Sequence, residues 1–307
     1  MIKLKKDLIN KVVFLGEINS INLEIICNSF EQLKNKVNYY IVGSKYKIEK
    51  YLKRINNNNI QINYIKDPIN FNLKKNFLNI FDVSYSKSDF DELNIQIRLC
   101  NYICNLTGYD LVTMPIDKSV FKKKINFIGI TEYLGKLNKV GTFMLMKGEN
   151  FSIIPITTHV SIDKLGEKIN TYSINKFFKK FIPFYNHIIN RYSLEKLKFI
   201  CVNPHCGEEG FLSNRDLNIK NLLADLPIKI NGPYPSDSAF MKDTKNCLFF
   251  STYHDQALIP FKLLNKFSCN ITIGLKYRRL SPAHGPATDI LFQNRSNNLS
   301  YIECMTI

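Results

Sequence analysis

The sequence of 307 residues contains no apolar run of the roughly 18–20 residues that a membrane-spanning helix requires. Its basic start is followed by an apolar stretch, Val12 to Leu15, that is too short for the core of a signal peptide. These two absences favour a cytoplasmic protein that does not bind a membrane.

The eight cysteines include no CxxC pair and no zinc-finger spacing, which argues against a closed structural zinc site. Cys100 and Cys104 stand four residues apart and therefore share a helix face, a pattern typical of small buried side chains. In a reducing compartment we expect free thiols. Cys206 follows His205 directly, but neighbours in sequence need not be neighbours in space, so a thiol nucleophile is disfavoured.

Three common fingerprints are also missing. The chain has no Gly-x-Gly-x-x-Gly after its first strand, no phosphate-binding P-loop and no Gly-x-Ser-x-Gly. The first absence argues against a Rossmann dinucleotide domain, the second against a P-loop nucleotide hydrolase and the third against an α/β-hydrolase.

Acidic residues are few, since 26 Asp and Glu stand against 42 Lys and Arg, and the net charge is +16 at pH 7. Such a charge could indicate a basic nucleic-acid-binding protein, which is the non-enzyme alternative. The lysines are scattered along the chain, however, and that favours surface positions biased toward Lys and Asn by an A+T-rich genome. The positive field would still attract an anionic substrate.

The spacing of apolar residues predicts alternating strands and helices. In the first part we expect strands at 12–15, 39–42, 60–65 and 110–115, and helices at 23–33, 44–55 and 90–106. In the second part we expect paired strands at 142–147 and 151–156, a largely helical stretch at 162–189, and strands at 198–202 and 248–253. This alternation predicts an α/β architecture with a largely parallel sheet.

Three of the five histidines stand in short polar motifs, Thr157-Thr158-His159, Asn203-Pro204-His205-Cys206-Gly207-Glu208 and Tyr253-His254-Asp255-Gln256. Each motif follows a predicted strand, and ligands of α/β proteins bind at the carboxyl ends of strands. Three imidazoles with one open position form a catalytic divalent-metal site. The pattern favours such a site over three separate hydrogen-bonded loop histidines.

Polar residues near these motifs could bind an anion or move a proton. Lys262, Asn270 and Arg279 could together hold a phosphate or a carboxylate. Asp237 and Asp255 could orient a histidine or accept a proton. The alternatives are solvated surface cations and aspartates that merely form turns.

These motifs, in order along the chain, resemble the 4-hydroxythreonine-4-phosphate dehydrogenase family of pyridoxal phosphate biosynthesis. The further motifs that carry the resemblance are Thr131-Glu132-Tyr133-Leu134, Asn231-Gly232-Pro233-Tyr234-Pro235-Ser236-Asp237, Asn270-Ile271-Thr272-Ile273-Gly274-Leu275 and His284-Gly285-Pro286-Ala287. The resemblance spans nearly the whole chain.

The resemblance implies two α/β/α lobes around a cleft, as in isocitrate and isopropylmalate dehydrogenases, which bind a dinucleotide without a Rossmann fingerprint. The first lobe would comprise residues 1–118 and 278–307 on the nucleotide side. The second, residues 119–277, would carry the metal and substrate residues. The family also implies a homodimer whose metal site lies near the interface and takes one histidine from the partner subunit.

By position, the resemblance assigns a role to each candidate residue. The metal ligands would be His159, His205 and His254; the substrate contacts Thr131, Lys262, Asn270 and Arg279; the catalytic residues Asp237, Asp255 and Lys262; and the cofactor contacts His284, Gly285 and Ala287. The implied cofactors are NAD or NADP and a divalent metal such as zinc, cobalt or magnesium.

The implied reaction is oxidation of 4-phosphooxy-L-threonine followed by loss of carbon dioxide. Two positions depart from the family pattern. Ile130 stands where the family usually has a substrate-contacting histidine, and the Gly-rich segment near the amino terminus reads Gly16 to Glu24 with most of its small residues replaced. These departures keep two alternatives open, a related dehydrogenase acting on another phosphorylated hydroxy acid and an eroded protein that keeps the fold and the metal but has weak or no NAD turnover.

Overall fold

The structure, a computed structural model, describes residues 10–17, 19–55, 59–69, 72–84 and 88–307. The basic start and Ile18 of the Gly16–Glu24 segment lie outside the described residues. No helix within these ranges is long and apolar enough to cross a membrane. The chain forms two compact units, a first unit of Met1–Val140 with Cys269–Ile307 and a second unit of Gly141–Ser268.

The described residues form twelve strands. They are β1 (Asn10–Phe14), β2 (Asn38–Gly43), β3 (Gln61–Ile65), β4 (Phe77–Asp82), β5 (Asp110–Thr113), β6 (Phe143–Gly148), β7 (Ser152–Pro155), β8 (Lys196–Ile200), β9 (Asn231–Tyr234), β10 (Cys247–Ser251), β11 (Ser268–Ile273) and β12 (Arg279–Pro282).

The same residues form eleven α-helices. They are α1 (Asn22–Leu33), α2 (Lys45–Arg54), α3 (Asp89–Thr107), α4 (Lys118–Lys122), α5 (Ile130–Asn138), α6 (Ile162–Lys168), α7 (Thr171–Phe181), α8 (Tyr185–Tyr192), α9 (Arg215–Ala224), α10 (His254–Leu264) and α11 (Leu299–Thr306). Short 3-10 turns occupy Ile182–Phe184, Pro204–Gly210 and Thr288–Ile290.

The strands of the first unit follow the order β3-β4-β2-β1-β5-β12-β11. Neighbours are parallel except for the antiparallel pair β11 and β12. The inner strands read as continuous apolar runs because helices cover both faces, and Val12, Val13 and Phe14 are completely buried. Since β1, β5 and β12 run in one direction, the loops that follow them meet at one edge of the sheet.

The strands of the second unit follow the order β6-β7-β10-β8-β9. Only β6 and β7 are antiparallel, so β7, β10, β8 and β9 point the same way. The core is aromatic: the rings of Phe178 and Phe181 on α7 each lie 5.0 Å from that of Phe250 on β10, edge to face. The shared strand direction brings the segments after β7, β8 and β10 to one edge.

Most predicted elements are present. Ser44 caps α2, with its hydroxyl accepting a hydrogen bond from the Lys47 amide at 3.4 Å. Cys100 and Cys104 are buried on α3 as predicted, and all eight cysteines are free. The helical stretch 162–189 is divided into α6, α7 and α8, with Pro183 in the 3-10 turn before α8. The elements that were not predicted are β4, β9, β11, β12, α4, α5, α9, α10 and α11.

Gly16, in the segment that has lost most of its small residues, makes a close backbone contact. Its φ is +73°, and a Cβ atom there would lie 2.5 Å from the Pro115 carbonyl oxygen. Asn22 stabilises the contact between the two loops. Its side-chain amide donates to the carbonyls of Leu15, Glu17 and Pro115 at 3.0, 3.0 and 2.9 Å. Only glycine fits where these two loops meet.

A buried charge cluster joins β1, β5 and α11 in the first unit. The ammonium of Lys11 lies 3.1 Å from the Asp110 carboxylate and donates to the Cys304 carbonyl at 3.0 Å. Arg278 donates to the same carboxylate through Nε at 3.1 Å and to the Ile307 carbonyl at 2.9 Å. Burial lowers the pKa of Lys11, and the Asp110 charge opposes that shift.

Candidate active site

His159 and His254 come together at the edge of the second unit, after β7 and at the start of α10. Their ring centroids are 6.0 Å apart with 35° between the ring planes. Two ligands of one ion can have this separation, because a metal–nitrogen bond of about 2.0–2.1 Å places each ring centre roughly 3 Å from the ion. His159 is exposed and the His254 side chain is 38% exposed, so both are accessible from solvent.

Asp255 orients His254. Its Oδ1 lies 2.7 Å from His254 Nδ1, and a carboxylate beside Nδ1 favours the tautomer that carries its proton there. The lone pair of Nε2 is then available to a metal ion. Asp237, the other carboxylate predicted for this site, is exposed.

Gln256 joins the segments that follow β8, β9 and β10. Its Oε1 accepts from the Thr252 amide at 2.9 Å, and its Nε2 donates to the Cys201 carbonyl and the Ser236 hydroxyl at 2.7 Å each. Gln256 belongs to one of the histidine motifs, but nothing in that motif indicated this role.

The predicted third ligand, His205, lies in a left-handed turn. Residues 205–209 have φ between 49° and 75°, and only Gly207 among them is a glycine. Each non-glycine residue in this conformation costs roughly 1–2 kcal/mol. Burial and the neighbouring Cys201 raise the pKa of Cys206 to about 12, which disfavours a thiolate nucleophile.

Asp216, a buried residue of α9, holds the segment before this turn. Its carboxylate accepts from the amides of Val202 and Asn203 at 2.7 and 3.1 Å, and from the Asn203 side chain at 2.8 Å. No pattern in the sequence marked Asp216, because its partners lie on the neighbouring loop.

One chain provides only part of the histidine ligand set that was predicted for a metal ion. Within the described residues, no group of three or more His, Cys, Asp or Glu side chains is placed to hold a metal. His159 and His254 nevertheless supply two imidazoles close together, a donor type that suits zinc, cobalt and similar ions. A chain therefore offers two of the three predicted histidine ligands near each other.

A second polar cluster lies in the first unit around Arg279, the first residue of β12. Its Nε donates to the Thr113 hydroxyl at 2.8 Å, and its Nη1 lies 3.2 Å from the Thr131 hydroxyl and 3.3 Å from that of Thr272. We call Arg279 and these three threonines the arginine cluster. Burial lowers the pKa of Arg279 to about 10, so the guanidinium is still charged at pH 7.

Asn270 lies on the same face of β11 as Thr272, since the two residues are two apart on one strand. Its side-chain oxygen is buried and has no hydrogen-bond partner in the structure. Lys262, on α10 of the second unit, is exposed. Three of the four predicted substrate contacts, Thr131, Asn270 and Arg279, therefore lie in the first unit. The fourth, Lys262, lies in the second unit on α10, the helix that begins with His254.

His284 follows β12 in the predicted nucleotide loop, and the Pro286 carbonyl of that loop accepts from the Ile21 amide at 3.1 Å. Burial lowers the pKa of His284, so the ring is neutral at pH 7. Nδ1 lies 2.9 Å from the Gly285 carbonyl, which can only accept, and Nδ1 therefore carries the proton. The buried Nε2 has no partner and could accept from a cofactor hydroxyl or amine.

Ile130, which replaces the usual family histidine, begins α5. Its side chain packs against the apolar core of the first unit. The residue therefore contributes to packing at a position where the family pattern has a polar contact.

Comparisons with known proteins agree on one family. A family model described as "Pyridoxal phosphate biosynthetic protein PdxA" matches residues 35–307. The chain is 27% identical to 4-hydroxythreonine-4-phosphate dehydrogenase of Aquifex aeolicus (strain VF5), with 96% of each chain covered. It is 32% identical to the enzyme of that name from Wigglesworthia glossinidia brevipalpis, covering 80% of this chain and 75% of the relative. The crystal structure of a Klebsiella pneumoniae 4-hydroxythreonine-4-phosphate dehydrogenase has the same fold, with a TM-score of 0.79, 23% identity and coverage of 96% and 97%.

Proposed function

The chain belongs to the family of the pyridoxal phosphate biosynthetic protein PdxA, and from that premise we propose that it oxidises 4-phosphooxy-L-threonine with NAD. The observation that carries the proposal is the family match over residues 35–307, which includes every candidate site residue. The secondary alcohol becomes a ketone as its hydride passes to NAD. The resulting β-keto acid loses carbon dioxide and leaves 3-amino-2-oxopropyl phosphate. We expect the reaction to take place in the cytoplasm.

The residues of the first unit would bind the substrate anion. The charged guanidinium of Arg279 offers hydrogen bonds that an oxyanion can accept, and the Thr131 hydroxyl lies beside it. The unpartnered side-chain oxygen of Asn270 would accept a hydrogen bond from a hydroxyl or ammonium group of the same substrate. In the second unit, we propose Lys262 as a substrate-binding residue, and Lys262 and Asp237 as groups that transfer protons. Binding energy far from the reacting carbon would hold the carbinol in place for hydride transfer.

His159, His254 and the partner subunit's His205 would hold the divalent metal. Asp255 fixes the His254 ring so that Nε2 faces away from the carboxylate. When bound, the ion would supply Lewis-acid polarisation of the substrate oxygens. NAD, or NADP, would bind at the loop of His284, Gly285 and Ala287, where the neutral His284 ring accepts a hydrogen bond.

Formation of NADH by the purified protein tests this proposal directly. We expect NADH when 4-phosphooxy-L-threonine, NAD and zinc, cobalt or magnesium are supplied, and none after addition of a chelator. L-Threonine, which has no phosphate, serves as the control substrate. NADH formed only from a different phosphorylated hydroxy acid would favour the related-dehydrogenase alternative. No NADH from folded, metal-loaded protein would favour the eroded remnant.

We also propose that the active form is a homodimer. One chain gathers only two of the predicted histidine ligands, and the third, His205, lies in an exposed turn that is followed by the almost fully exposed Phe211. Helix α10, which begins with His254, exposes Ile259 and Leu263 one turn apart. These side chains are apolar surface that a second copy would bury.

Replacement of Leu263 by glutamate tests this interface. Leu263 is 79% exposed, and its burial in a dimer would contribute about 2 kcal/mol per copy, with two copies in a twofold interface. We expect Leu263→Glu to raise the dimer dissociation constant by about 100- to 1000-fold in sedimentation equilibrium. Tyr172→Glu, at a residue on α7 that is 74% exposed, is the matched control. An unchanged dimer, or equal dissociation of both variants, would contradict the interface.

A further inference from the structure

Arg279 is fully enclosed, yet its partners are hydroxyl groups rather than carboxylates. The residue is 4% exposed, and among the described residues no carboxylate lies within ion-pair distance of its guanidinium. A buried cation without a carboxylate in direct contact is costly, because burial disfavours its charged form and the charge of Glu132 opposes that shift only in part. The cluster therefore keeps a positive charge that an arriving anion can neutralise.

Thr113 makes the contact that fixes the guanidinium plane. Its hydroxyl accepts from both Nε and Nη2 of Arg279, so it occupies one whole edge of the planar group. Thr131 and Thr272 both lie beside Nη1. An arginine has five N–H donors and these contacts use four, so one Nη2 hydrogen remains for a ligand.

The position of Thr113 is itself rigid. It is the last residue of β5, completely buried, and its carbonyl accepts from the Ser281 hydroxyl at 3.0 Å. Strand β5 pairs with β12, the strand that begins with Arg279. The β-branched side chain has few rotamers, so the hydroxyl has a fixed direction.

We propose that Thr113 is a positioning residue, which orients Arg279 so that its remaining Nη2 hydrogen meets an oxyanion of the substrate. The assignment rests on the proposed function for the identity of that substrate, but the anion-binding step can be measured separately. Without the Thr113 hydroxyl, the guanidinium can rotate about its last side-chain bonds, and fewer of its orientations face the anion.

Binding of inorganic phosphate and of acetate to chelator-treated protein tests the anion step without catalysis. We expect calorimetry to give a dissociation constant at least 10-fold higher for Thr113→Val than for the parent, and recovery to within about threefold in Thr113→Ser. Arg279→Met should abolish this binding. Thr107→Val, which removes a hydroxyl bonded only to the Ile103 carbonyl and the Tyr109 amide, is the matched control. The anion that responds to Thr113, phosphate or acetate, identifies which substrate group faces Arg279.

The kinetic arm separates positioning from a purely structural role. We expect Thr113→Val to raise KM for the phosphorylated substrate by about 10- to 100-fold, with kcat and the KM for NAD nearly unchanged. A lower melting temperature with unchanged anion binding in Thr113→Val would overturn the assignment, as would a parent protein that binds neither anion. A parent that binds an anion through Arg279 and Thr113 but forms no NADH would contradict the proposed function alone.

Discussion

An equimolar mixture of His159→Ala and His205→Ala subunits is expected to form NADH, although neither variant does so alone. If each metal site takes His159 and His254 from one subunit and His205 from its partner, a mixed dimer contains one complete site and one that lacks two ligands. Random pairing makes half of the dimers mixed, so activity should approach about a quarter of the parent value. Co-expression with two different affinity tags, followed by NADH and metal assays, measures this recovery.

The matched control is the mixture of His159→Ala with His254→Ala. Both residues belong to the same half of the proposed site, so each site of a mixed dimer lacks one ligand and no activity should return. Recovery in this control, or no recovery in the first mixture once mixed dimers have been isolated through both tags, would contradict this division of the three ligands between the subunits.

Replacement of Arg279 by methionine is expected to weaken substrate binding without lowering the free energy of unfolding. The variant loses the buried charge that we propose meets the substrate anion, and we expect KM to rise by roughly 100-fold or more. Because the buried guanidinium has no carboxylate partner, its loss should leave the free energy of unfolding unchanged or raise it by about 1 kcal/mol. Steady-state kinetics and urea denaturation of the same preparation measure the two effects.

The neighbouring arginine provides the control for this prediction. Arg278 forms an ion pair with Asp110, and the same carboxylate forms a second ion pair with Lys11. Arg278→Met removes the hydrogen bonds that the guanidinium donates to the buried Asp110 carboxylate and to the Ile307 carbonyl, so it should lower the free energy of unfolding by about 2–3 kcal/mol. Its KM should stay near the parent value. Equal destabilisation by both substitutions would contradict the distinction between a paired and an unpaired guanidinium.

The spacing of apolar residues and one helix-capping residue were enough to predict many of the strands and helices. Helix α3 follows from its long periodic pattern, and α2 from the Ser44 cap. The proximity of two histidine motifs could also be predicted, because parallel strands bring the segments that follow them to one edge of a sheet. His159 and His254 are close for that reason.

The arginine cluster could not be predicted from the same signals. Thr113 and Arg279 are 166 residues apart, and they meet only because β12 pairs with β5. Threonine is common at strand ends, so nothing in the sequence marks Thr113 or Thr272 as partners of an arginine. The turn at residues 205–209 could not be predicted either, since a single glycine does not indicate a run of five residues with left-handed backbone conformation.

The buried ammonium of Lys11 also limits the order in which the chain can fold during synthesis. Its acceptor on α11, the carbonyl of Cys304, leaves the ribosome 293 residues after Lys11 itself. The second unit is one continuous segment, Gly141–Ser268, and all its strands have emerged before β12 exists. The second unit can therefore close its core early, whereas in the first unit Lys11 has its Asp110 partner but lacks its carbonyl acceptor until α11 is synthesised.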